Sequence, residues 1–192
     1  MNLKGAASYF ARTQIDGWNG SDWDLDIARG AYLPFDRFIS EREFGNKRRH
    51  LLCNPDSSIP EDYKVVRLND EIFLLGVRND DRQGSVYSHV FLLHRAPFQA
   101  DLMEYTKTTA ASGVAGSAVK TSVGVYHCDA ERMSYMNSRE FDAMRFSEMQ
   151  ILLPSNCPAT IEHELKIGDY FYEVEEVFPS SGFVACRAVR KK

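Results

Sequence analysis

No C-x-x-C pair occurs in this chain: Cys53, Cys128, Cys157 and Cys186 lie far apart along its 192 residues. That scatter argues against a zinc ribbon or a dithiol redox site and supports no disulfide framework, so the four are read as reduced thiols. No apolar run approaches the roughly 18 to 20 residues that a membrane-crossing helix needs. The opening "MNLKGAASYFARTQIDG" sets Lys4 and Arg12 around a short, weakly apolar stretch, too poor for a secretory signal. A cytosolic protein is therefore expected, with Asn19-Gly20-Ser21 an idle glycosylation pattern. A basic excess is missing too. Lys and Arg number 23 against 27 Asp and Glu, a net charge of -4, which opposes any general affinity for phosphate backbones.

Complete catalytic motifs are also lacking. In "SGVAGSAVKTS" Val119 stands where a phosphate loop needs the glycine before Lys120-Thr121, and the strand and helix that should flank it are not foreseen. "DWDLD" spaces Asp22, Asp24 and Asp26 like the start of a calcium loop, but Ile27 and Leu33 occupy the places of its turn glycine and closing glutamate, so a solvated acidic stretch is the reading. His127, Cys128 and Asp129 set a thiol beside a base, yet neighbours in a strand point to opposite faces. His50, His89, His94 and His163 show no metal-ligand spacing. Glu173, Glu175 and Glu176 are read as an exposed sheet face rather than as a tuned acid pair. No catalytic residue, cofactor or metal is expected.

What is present is the composition of a globular protein, 44% hydrophobic and 26% charged. Residues 1–55 hold both tryptophans, Trp18 and Trp23, and sustain no period for long, so they are read as an irregular arm or lead-in. Within them "FDRFISEREF" suits a short helix. Residues 56–192 are read as a β-rich domain. "YKVVRLNDEIFLLGV" gives strands at 64–68 and 71–77 around Asn69-Asp70, a pair that tolerates left-handed backbone in a tight turn. "VYSHVFLLHRA", "ADLMEYTKTTA" and "TSVGVYHCDAERMSYM" supply further strands. The glycine-containing stretch Ala110–Ala118 is the expected loop. "SREFDAMRFSEMQILLP" is the best helix, with Ser138 as N-cap and Phe141, Met144, Arg145 and Met149 on one face. A hairpin, "DYFYEVEEVF" and "FVACRAVRK" about Pro179–Gly182, ends the chain.

The fold expected is thus mainly β, an antiparallel β-barrel or β-sandwich with an irregular N-terminal arm and one short helix. Two small barrels, about 60–110 and 120–192, are an option, because "RLNDEIFLLGV" and "KIGDYFYEVEEV" echo each other. Chance likeness between two hairpins is favoured over duplication. The basic clusters "NKRRH" and Arg187, Arg190, Lys191 and Lys192 are read as solvated faces, with a local contact to nucleic acid or an acidic partner as the alternative.

"ELKIGDYFYEVEEVFPSSGFVACRAVRK", with "YKVVRLNDEIFLLGVRNDDRQGSVYSHVFLLHRA", resembles the β-rich neck proteins of tailed bacteriophages, of the head-closure or head-to-tail joining type. The resemblance implies a structural virion protein rather than an enzyme, made in the host cytoplasm. It would form a homo-oligomeric ring, hexamer or dodecamer, against a portal or adaptor protein and tail proteins, with incidental contact to packaged DNA and none to membrane. Interface residues expected on that basis are Trp18, Trp23, Arg48, Arg49, Gly113, Gly116, Lys120, Arg187 and Arg190. The other readings are a tail terminator or tube component, a thiol-dependent hydrolase using Cys128 and His127, and a ligand-binding barrel.

Overall fold

Strand formation follows where β-branched and aromatic residues alternate, and it extends well before residue 56. The computed structural model describes residues 13–33, 48–53, 58–83, 86–109, 115–132, 148–180 and 182–191. Six strands, β1 (Thr13–Trp18), β2 (Trp23–Leu33), β3 (Arg48–Cys53), β4 (Val65–Leu68), β5 (Glu71–Gln83) and β6 (Val86–Arg95), close a barrel in the order β1-β2-β3-β6-β5-β4. Six more, β7 (Phe98–Thr109), β8 (Ala115–Arg132), β9 (Glu148–Pro154), β10 (His163–Ile167), β11 (Tyr170–Ser180) and β12 (Phe183–Arg190), close a second in the order β7-β8-β9-β12-β11-β10. The chain is mainly β, with antiparallel sheets closed into barrels rather than stacked as a sandwich.

The irregular arm expected over residues 1–55 is corrected where the structure describes it, because Thr13–Trp18, Trp23–Leu33 and Arg48–Cys53 are barrel strands. Two features hid them. The β1–β2 register shifts between Ile15 and Gly17, and Asp26 has a φ of 53°, so the alternation of apolar and polar residues breaks. Gly30, which reads as a loop residue, sits in a strand where a Cβ would lie 2.7 Å from the Leu52 carbonyl oxygen. Among the described residues there is no helix. The candidate at 35–44 and most of that at 138–149 lie outside the described residues, but Met149 belongs to β9. Its run Ile151-Leu152-Leu153 is buried on both faces, and such a short apolar run does not distinguish strand from helix. Likewise Ala115 and Ala118 of the expected loop pair with β7, and residues 115–118 belong to strand β8.

The terminal hairpin appears as β11 and β12, and the Asn69-Asp70 turn as foreseen. Leu68 pairs with Glu71 around Asn69 (φ 49°) and Asp70 (φ 65°), a two-residue loop with both centres left-handed. Ile167 pairs with Tyr170 around a loop of the same length, Gly168-Asp169, in which Gly168 (φ 58°) is left-handed and Asp169 is not. These hairpins are the fourth and fifth strands of their barrels, and read from β1 and from β7 the two strand orders are identical. Aligned on the loops, Val66 and Phe73 correspond to Leu165 and Tyr172, and Leu75 corresponds to Val174; each residue lies in its own barrel's core. The hairpins "RLNDEIFLLGV" and "KIGDYFYEVEEV" that echo each other in sequence thus take the same place in two barrels of one strand order.

Candidate assembly surfaces

The β1–β2 turn brings the tryptophans together. Asn19 Oδ1 accepts the Ser21 and Asp22 amides at 3.0 and 2.9 Å, which sets Trp18 directly opposite Trp23. Their ring centroids lie 5.3 Å apart, and the Arg67 guanidinium sits 4.8 Å from the Trp23 ring centre. Arg67 is aimed by Asp16, opposite it in the β1–β4 pair: Asp16 Oδ2 accepts Arg67 Nη2 at 2.7 Å, while Oδ1 accepts the Asp26 amide at 3.0 Å. Burial pushes the Asp16 carboxyl up, but the Asp26 amide, Arg67 and Gln14 together hold it below its ordinary value. The three aspartates of "DWDLD" turn to separate tasks. Asp22 Oδ1 accepts the Trp23 amide, Asp24 accepts the Tyr63 hydroxyl at 2.6 Å, and Asp26 pairs with Arg29 at 2.8 Å. Between the last two, Leu25 is 68% exposed.

On the second barrel, Lys120 lies at the centre of a cluster that sequence did not reveal. Glu164 is 1% exposed, although Leu165 beside it points into the core. Its outward carboxylate accepts the Tyr105 hydroxyl and the Lys191 ammonium, and Lys120 Nζ stands 2.7 Å from Oε2 as an ion pair outside hydrogen-bond geometry. Lys191 Nζ also donates to the Tyr105 hydroxyl at 3.0 Å and lies 3.6 Å from Glu173. Lys120 stacks 4.3 Å from the Phe171 ring centre. Burial opposes ionisation of Glu164, yet Lys120, Lys191 and Tyr105 together hold its carboxyl below the ordinary value. The Glu164 carboxylate beside them raises both lysines above their ordinary value.

The other expected interface residues are dispersed. Arg49 is half-buried in β3 opposite Leu93, and Arg48 pairs with His94 in the β3–β6 ladder. Gly113 lies outside the described residues and Gly116 falls in β8. Arg187 meets Glu175 and Glu176, each at 3.5 Å, and Arg190 stacks 3.7 Å from the Tyr170 ring centre. Of the nine, only Trp18 and Trp23 are brought into direct contact by the contacts just described.

Cys128 lies wholly inside the second core, with Cys157 and Cys186, while His127 approaches Gln99 at 3.4 Å. Desolvation pushes the Cys128 thiol up, with Asp129 and Cys157 adding to it, and lowers His127. Burial raises Cys53 and Cys157 to about 12, and Cys186 likewise, with a further push from Cys157. Burial of all four thiols opposes their ionisation, and with it nucleophilic chemistry at Cys128. Native protein at pH 8 is expected to show no fast-reacting thiol with a disulfide reagent and all four after denaturation; one rapid native equivalent would restore the nucleophile reading of Cys128.

Comparisons with protein-family models, curated proteins and solved structures returned no match. Among the described residues no helix is long and apolar enough to cross a membrane.

Proposed function

We propose that this chain is a structural subunit of a tailed-phage virion, assembling with copies of itself into a ring at the head-to-tail neck. The observation that carries the assembly part is a set of apolar side chains left exposed on strands rather than in pockets: Leu25 on β2, and Val119, Val123 and Val125 on β8, the last three 49, 42 and 46% exposed. Isolated exposed apolar residues are ordinary, whereas several along one strand mark a surface that another chain covers. Closed barrels suit the role, since they hold such strands rigidly. The neck assignment rests on the resemblance of the two hairpin segments to neck proteins. Mass photometry and negative-stain microscopy of the full chain over a range of concentrations test the reading. Hexameric or dodecameric rings are expected, and a monomer at every concentration overturns it.

A further inference from the structure

Among the described residues, the second strand of each barrel pairs with the third over only part of its length. Among the described residues β8 pairs with β7 from Ala115 to Cys128, but with β9 only over Asp129–Arg132. Residues Val119 to Val123 and Val125 are all exposed, which places both faces of that stretch in solvent. In the first barrel β2 pairs with β3, among the described residues, over Gly30–Leu33, and Leu25 protrudes from the stretch before it. An uncovered edge presents backbone N–H and C=O groups that another strand can satisfy, and natural edges are commonly guarded by a lysine. The guard on β8 is Lys120, and it is drawn back onto Glu164 and the Phe171 ring.

We propose that the β8 edge from Val119 to Val125 of one copy pairs with the Trp23–Arg29 stretch of β2 in the next copy. This rests on the self-assembly reading above and names its contact. Copies that each carry a net charge of -4 repel one another, so their contact must avoid like charges. The β8 stretch holds one charge, Lys120, and the β2 stretch holds Asp24 and Asp26 against Arg29. Unlike edges thus meet without a like-charge pair, whereas β2 against β2 sets aspartates together; Lys120, drawn back onto Glu164, leaves β8 without a like charge to present. Unlike edges also repeat head to tail, as a ring requires, whereas like edges pair about a two-fold and stop at a dimer.

Full-length Val123→Lys and Leu25→Lys separate these cases, since both side chains are exposed and neither lies in a core. By mass photometry each variant alone is expected to associate at least tenfold more weakly than the parent chain. An equimolar mixture keeps one sound contact, β8 of the Leu25→Lys chain with β2 of the Val123→Lys chain, and is expected to give heterodimers and nothing larger. Loss of assembly in Val123→Lys with none in Leu25→Lys means β8 pairs with itself, which overturns the unlike-edge contact. Rings indifferent to both variants overturn it while leaving the ring reading standing, and a monomeric parent chain overturns both. Thr121→Lys, also exposed, replaces Val123→Lys if circular dichroism shows that variant unfolded. In the parent chain, amide exchange at both stretches must slow as concentration rises; unchanged exchange at either sinks the pairing.

Discussion

Phe73→Ala is expected to destabilise the first barrel by about 3–5 kcal/mol, the cost typical of emptying a buried aromatic site. Phe73 is 1% exposed and faces Val66 across the β4–β5 pair, with the Tyr32 ring 5.5 Å away centre to centre. Its core also holds Ile15, Leu51, Leu68 and Leu93, each at most 1% exposed, from four different strands. A ring of strands cannot collapse inward to fill the gap without breaking its own hydrogen-bond ladder, so relaxation recovers little. Against a whole stability of about 5–15 kcal/mol, this leaves the barrel marginal. Urea denaturation gives the size of the loss, and amide exchange places it: protection at β4 and β5 should fall first. The correspondence of Phe73 with Tyr172 extends the expectation. Tyr172→Ala, at 9% exposure in the second core, should cost a comparable amount in the second barrel. A cost under about 1 kcal/mol, within the range of ordinary surface changes, would mean that the two positions are not structurally equivalent.

How much of this was legible in the sequence depends on the range over which each signal acts. The Asn69-Asp70 loop and the closing hairpin could be read because turn chemistry and alternation are local, confined to a few neighbouring residues. β1 and β2 could not, since their irregularity compensates for contacts distant in the chain. Asp16 looks like a surface carboxylate until Arg67 and the Asp26 amide converge on it, and the register shift beside it disrupts the pattern that would mark a strand. Trp18 and Trp23, expected from sequence as interface residues, cover part of each other. The barrel repeat was visible only as an echo between two hairpins. Strand order and buried positions were needed to give it weight, because side chains differ at nearly every equivalent site, as Val66 and Leu165 show.

Glu164 lies at the far end of that scale, and removing it should produce the second large effect. In "HELKI" it occupies a position that alternation assigns to solvent, and nothing nearby in sequence announces that Tyr105, Lys120 and Lys191 will cover it. Glu164→Ala leaves two ammonium groups beside Tyr105 without their shared counter-ion, Glu173 compensating Lys191 alone. Breaking a fully buried pair costs about 3–5 kcal/mol. Because both lysines are more than a third exposed and water screens them, about 2–3 kcal/mol is expected here. Glu164→Gln keeps the shape and one acceptor and should cost less. The dependence on pH has a definite sign. The folded carboxyl lies below its unfolded value, so its contribution is fully present above the unfolded carboxylate range and is lost as pH falls through the folded value. Lys120 and Lys191 are raised, so their share is present below the unfolded lysine range and lost as pH rises through their folded values. Urea midpoints of the parent chain should therefore fall at both the acid and alkaline ends, and in Glu164→Gln both falls should be shallower. Equal acid slopes in the two proteins would show that Glu164 does not anchor the cluster, and with that the restraint on Lys120 at the β8 edge would lose its basis.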